Sequence, residues 1–180
     1  MSFNPTLDRT AITQALQTLG KQIRSSGTVY LFGGTALILQ GIRAGSTQDL
    51  DLWSYDNFSE VDQGVQYLKR HQVSVDFIDP ETFLPLPPGW EQRSAFAGQY
   101  GSLIVRYLDP YTIALTKISR NQSQDRLDIQ GLATQGLIQR DELIRLYQTI
   151  APLVGSGRYG RLDPAVFDQK FTAMLQHITW

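Results

Sequence analysis

Two runs decide the fold of this chain: Thr28-Val29-Tyr30-Leu31-Phe32-Gly33-Gly34-Thr35-Ala36-Leu37 and, after a spacer, Asp49-Leu50-Asp51-Leu52-Trp53. Residues 28–32 are β-branched, aromatic or aliphatic, the composition of a short buried strand. Gly33-Gly34 then turns the chain, and residues 35–40 predict an apolar helix closed by Gly41. A glycine pair at such a turn lets backbone approach a ligand closely, and the N–H groups at a helix start favour an anion such as phosphate. The same pair also serves as a plain strand–helix turn.

The second run alternates with period two. Asp49 and Asp51 project from one face of a strand, about 6.5–7 Å apart along it, while Leu50 and Leu52 point into the core. Two carboxylates at that spacing repel each other and raise a pKa unless cations sit between them. Such oxygen ligands suit Mg²⁺, which keeps waters and bridges substrate phosphates. A solvated strand face is the alternative. Residues 73–78 alternate again, with Val73, Val75 and Phe77 on one face and Ser74, Asp76 and Ile78 on the other. Beside the first acidic strand, Asp76 becomes a third ligand or a general base; an edge-strand aspartate is the other reading. Asp79 has the parity of the apolar face, and Pro80 ends the strand there.

The flanking segments complete an α/β (α+β) pattern. Leu7, Ile12, Leu16, Leu19 and Ile23 fall close to a helical period over 7–24, with Gly20 interrupting it. Phe58, Val61, Val65 and Leu68 predict a helix over 56–70. Residues 83–90 (FLPLPPGW) predict a loop, and 102–108 a strand paired with 94–98 as a hairpin. Asp109-Pro110 has the form of an N-cap followed by proline at the first helical position. Helices are expected at about 110–120, 123–135, 139–150 and 163–178. The expected architecture is a small mixed sheet flanked by helices, residues 1–108, with a helical part, 109–180, packed on it as one compact unit.

Composition narrows the function classes. The chain has 180 residues, 42% hydrophobic and 18% charged, which supports a sizeable core. Sixteen basic and 17 acidic residues leave a net charge of -1, which argues against a protein that coats long polyanions. The absence of cysteine excludes disulfides, thiol catalysis and iron–sulfur clusters. His71 and His177, far apart in the chain, do not make a histidine-rich metal site. The N-terminal residues lack the pattern of a secretory leader, and the longest apolar stretches, 29–32 and 36–39, are too short to span a bilayer. A cytoplasmic protein without membrane partners is expected. Gly155-Ser156-Gly157-Arg158-Tyr159-Gly160 matches G-x-G-x-x-G, but it follows a predicted helix rather than a strand, so it reads as a helix–helix loop.

The run 31–37, then Arg43, then Ser46-Thr47-Gln48-Asp49-Leu50-Asp51-Leu52, resembles the signature of the nucleotidyltransferase (DNA polymerase β-like) superfamily. It is most similar to the minimal prokaryotic branch that includes the AbiEii-type toxins of toxin–antitoxin and phage-defence systems. The likeness continues through Asp109-Pro110-Tyr111-Thr112-Ile113-Ala114-Leu115-Thr116-Lys117, Arg120 and Asp125-Arg126-Leu127-Asp128-Ile129.

The resemblance implies transfer of a nucleotidyl group from a nucleoside triphosphate to an acceptor hydroxyl on RNA or protein, with pyrophosphate leaving. It implies that Asp49 and Asp51 hold two Mg²⁺ ions, and that Asp76 completes the metal site and takes the acceptor proton. Gly33, Gly34 and Thr35 would cradle the phosphates, and Lys117 would neutralise their charge, a lysine snorkelling from an apolar surface being the alternative. A cognate antitoxin protein is an implied partner. An inactive nucleotidyltransferase-fold module, antitoxin-like or purely binding, remains the second functional reading.

Overall fold

A computed structural model describes residues 6–55, 59–159 and 161–180. It divides into two compact units, Met1–Asp79 with Ala95–Leu108, and Pro80–Ser94 with Asp109–Trp180. The proline-rich loop and the residues after it, which the sequence places within 1–108, thus belong to the helical unit.

The first unit opens with α1 (Arg9–Gln22), whose first turn is capped by the Asp8 carboxylate accepting from the Ala11 N–H at 2.8 Å. Then follow β1 (Gly27–Leu31), α2 (Gly33–Leu39), β2 (Leu50–Trp53), α3 (Ser59–Arg70) and β3 (Val75–Phe77). The first three residues of the helix expected over 56–70 lie outside the described residues. In the helical unit come Pro80–Thr82, a single 3₁₀ turn, and α4 (Trp90–Arg93). The hairpin β4 (Phe96–Tyr100) and β5 (Leu103–Tyr107) returns the chain to the first unit.

These strands form one mixed sheet in the order β3-β2-β1-β5-β4. Strands β1 and β2 run antiparallel, pairing Tyr30 with Trp53 and Leu31 with Leu52. Strand β1 is parallel to β5, and β2 is parallel to β3. The alternation read from the sequence decides which face is buried. Val29, Leu31, Leu50, Leu52, Val75, Leu103 and Val105 are almost completely shielded from solvent, and α2 and α3 pack against β2 and β3. Helix α1 lies against α3, α2 and β4, adding Ile12, Leu16 and Leu19 to this core.

The helical unit continues with α5 (Pro110–Arg120), α6 (Ser123–Thr134), α7 (Arg140–Ile150) and α8 (Pro164–His177). Its helix starts follow the sequence signals closely. Asp109 accepts from Tyr111 N–H and Thr112 N–H ahead of Pro110, and Asp163 caps Ala165 and Val166 ahead of Pro164. Gln122 and Asp125 form a reciprocal capping box on α6. Asn121, left-handed at φ 56°, ends α5. Arg93 joins α4 to α5 through a two-point ion pair with the buried Asp109, 2.9 Å at each contact, and also donates to Pro88 O at 2.8 Å. This bond explains why the proline-rich segment belongs to the helices. The G-x-G-x-x-G run forms a turn at Gly157–Tyr159 between α7 and α8, with Gly160 outside the described residues. No described helix is long and apolar enough to cross a membrane.

Candidate active site

The acidic residues and the glycine turn meet in the first unit. Leu50 and Leu52 are fully buried, so parity turns Asp51 to the opposite face of β2, where it is half-buried. Asp49 precedes the first strand residue and has the same parity. In the parallel β2–β3 pairing, Asp51 is the register partner of Asp76. Neighbouring strands lie about 4.8 Å apart, so the two carboxylates share one patch of one face. Ser74, on the same side of its strand as Asp76, donates its hydroxyl to Asp49 Oδ1.

The electrostatics agree with this grouping. Burial around the Asp76 carboxyl pushes its pKa up, the Asp49 carboxylate pushes it further, and Lys69 pulls it back. Asp76 itself is exposed on its strand. The Asp49 and Asp76 carboxyls thus lie close enough to act on one another, with Lys69 opposing the effect.

Gly33 and Thr35 lock the turn to this acidic strand. Gly33 has φ +56°, and a side chain on it would collide with the Asp51 carboxylate. The buried Thr35 hydroxyl donates to Asp49 O at 3.0 Å and accepts from Asp51 N–H at 3.0 Å. Asp51 Oδ2 lies 3.5 Å from Thr35 N and 3.4 Å from its hydroxyl. Gly34 is packed against Thr47 Oγ1 and Arg43 Nη1, which lie 2.8 and 3.2 Å from where its Cβ would stand. Of the residues expected here, Gly33, Gly34, Thr35, Asp49, Asp51 and Asp76 are thus brought together. Arg43, Ser74 and Lys69 also belong to the surroundings. Ser74 is foreshadowed by its parity with Asp76, whereas Lys69 carries no local sequence signal.

Lys117 lies in the helical unit and is almost fully buried. Its ammonium donates to Asp125 Oδ1 at 3.2 Å and Asp128 Oδ2 at 2.6 Å. Asp125 is also held by Arg120 and by the Gln122 N–H. Burial raises the Asp125 pKa, but the Arg120 and Gln122 hydrogen bonds and the Lys117 charge outweigh it, leaving the carboxyl below its ordinary value. The lysine expected to meet phosphate is thus the centre of an ion-pair cluster joining α5 to α6.

Among the described residues, no three His, Cys, Asp or Glu side chains converge closely enough to hold a metal ion unaided. The donor set nonetheless fits Mg²⁺. This ion is ordinarily bound through one or two carboxylates, with waters and substrate phosphates filling the other positions, rather than by an all-protein cage.

A family model described as a nucleotidyltransferase of unknown function matches residues 9–164 of the 180. No curated protein and no solved structure matches the chain. The matched span contains the glycine turn, all three aspartates and most of the helical unit. The chain belongs to this family of nucleotidyltransferases of unknown function (DUF6036).

Proposed function

We propose that the chain is a Mg²⁺-dependent enzyme that moves a nucleotidyl group from a nucleoside triphosphate to a hydroxyl of RNA or protein. The observation that carries this reading is the register pairing of Asp51 with Asp76, beside Asp49 and over the Gly33 turn. In the reaction the acceptor oxygen bonds to the α-phosphorus, the bond to the β-phosphate oxygen breaks, and pyrophosphate leaves. Asp49 and Asp51 would hold two Mg²⁺ ions, with Asp76 completing the set. The metal supplies positive charge to the attacking and leaving oxygens.

The chain's own groups do the remainder. Asp76 is suited to take the acceptor proton, because burial and the Asp49 carboxylate raise its affinity for a proton. Thr35 fixes Asp49 and Asp51 relative to the glycine turn through bonds to the backbone of both. Gly33 and Gly34 would offer backbone N–H groups to the phosphates, the space of their missing side chains being taken by Asp51, Thr47 and Arg43. Lys117 enters the proposal as the residue that orders the α5–α6 junction, through its bonds to Asp125 and Asp128.

The likeness to AbiEii-type toxins in the motifs at 31–52 and 109–129 supports a cytoplasmic role in a toxin–antitoxin or phage-defence system, with an antitoxin protein as partner. Thermal melting with Mg²⁺ and each nucleoside triphosphate tests the site. A ligand that binds only the native state raises the melting temperature. The proposal expects a rise with at least one triphosphate that requires Mg²⁺ and is lost in Asp49→Asn/Asp51→Asn. No rise with any triphosphate would favour an inactive module.

A further inference from the structure

The two aspartates at β2 are held differently. Asp51 stands within the strand, with its N–H bonded to the Thr35 hydroxyl and its Oδ2 close to the same group. Asp49 precedes the first strand residue, and the Thr35 hydroxyl reaches its backbone carbonyl. The terminal torsion of an aspartate is broad, so a fixed main chain does not by itself fix the carboxylate. The bond that does so comes from the neighbouring segment, where the Ser74 hydroxyl donates to Asp49 Oδ1.

The fold delivers this hydroxyl from both sides. Val73 N–H donates to Leu68 O at 3.1 Å, tying the approach to β3 to the last turn of α3. Leu50 N–H donates to Ser74 O at 2.9 Å, so the serine backbone is bonded to the residue that follows Asp49. Val75 is buried, and parity turns Ser74 to the face that carries Asp76. Asp49 and Ser74 are both half-buried. Residue type matters as much as place. A hydroxyl donates one hydrogen bond and brings no charge, so it orients a carboxylate while leaving intact the negative charge that attracts a cation. A lysine or arginine at this position would oppose that charge, and an alanine would remove the bond. Groups that orient a metal-ligating side chain in this way raise its affinity for the metal.

We propose that Ser74 is a positioning residue of this site, its hydroxyl setting the orientation of the Asp49 carboxylate in which Mg²⁺ is bound. This rests on the reading of the site as a Mg²⁺-dependent nucleotidyltransferase centre.

Mn²⁺ is the probe, because carboxylate sites suited to Mg²⁺ also suit Mn²⁺, whose free ion is counted by electron paramagnetic resonance. It is titrated without nucleotide by that signal. With each of ATP, CTP, GTP and UTP, the reading is the Mn²⁺ concentration that gives half the rise in melting temperature. Losing a group that orients a metal ligand costs about 10- to 100-fold in metal affinity, and Ser74→Ala should weaken Mn²⁺ binding by that factor. Without metal it should melt within a few degrees of the unaltered protein. Ser74→Thr and Ser74→Val have the same shape, both suit a strand, and they differ in the hydroxyl. Ser74→Thr should keep most of the affinity, and Ser74→Val should lose as much as Ser74→Ala. This pair decides the matter even where Ser74→Ala fails to fold. Full Mn²⁺ affinity in Ser74→Ala or Ser74→Val would overturn the assignment and leave the enzyme reading standing. Equal losses in Ser74→Thr and Ser74→Val would overturn it in favour of a serine that serves packing alone. Absence of Mn²⁺ binding by the unaltered protein, alone and with every triphosphate, would overturn the enzyme reading, and this assignment with it.

Discussion

The Asp51 carboxylate occupies the space that a side chain on Gly33 would fill. Two sequence features separated by a spacer are therefore one structural device: the glycine is small because the aspartate is there. Gly33→Ala would place a methyl group in that carboxylate while holding alanine at φ +56°, where backbone strain costs about 1–3 kcal/mol. The expected result is a lower melting temperature together with a larger loss of Mg²⁺-dependent nucleotide binding, read by melting with and without ligand. Unchanged binding would show that the position of Asp51 does not matter.

The Asp76 carboxyl has a folded-state pKa raised above 3.8 by burial and the Asp49 charge. A raised acid contributes stability that is fully present below its unfolded pKa and is lost as pH rises through the folded value. Asp76→Asn should therefore melt at the same or higher temperature than the unaltered protein at pH 7, with the difference shrinking below about pH 3.8. Mg²⁺ should stabilise the unaltered protein more at pH 7 than in acid, and should stabilise the variant less. Melting curves at the two pH values, with and without the metal, check both statements.

Lys117 separates two roles cleanly. Removing one partner of a buried ion pair costs about 3–5 kcal/mol, because the remaining charge is left uncompensated. Lys117→Met would leave Asp125 to Arg120 and Asp128 to Gln124. A large fall in denaturant midpoint is expected, with rescue by a second change, Asp128→Asn. A fully stable variant that loses only triphosphate affinity would instead make Lys117 a ligand.

Acid should loosen the helical unit through the same cluster. Asp125 has a lowered folded pKa, so its contribution is present above the unfolded value of 3.8 and is lost as pH falls through the folded value. Circular dichroism followed as pH falls below 3.8 should show helix loss, and Asp125→Asn should remove this part of the pH dependence.

Most of the fold was legible because local chemistry and global packing agree. Asp109-Pro110 marks a helix start that the structure reproduces, and the Asp-Leu-Asp-Leu alternation sorts acidic from buried positions on β2. Gly20 was opaque. Its reason is a contact distant in sequence, since a side chain there would strike Tyr100 in β4. The union of residues 80–94 with the helices was equally hidden, depending on the long-range pairing of Arg93 with Asp109. At the site, parity placed Asp76 beside Asp51, and the glycine turn was visible. The surroundings of Lys117 were not, because a helical lysine reads the same whether it faces solvent, phosphate or two buried aspartates.

The central claim is tested most directly by incubating the purified protein with Mg²⁺, each α-labelled nucleoside triphosphate and a cell extract, alongside Asp49→Asn/Asp51→Asn. The account predicts that label passes to an RNA or protein species, that it requires Mg²⁺, and that it is absent with the double variant. Equal labelling by the double variant, or no labelling with any triphosphate, would contradict it.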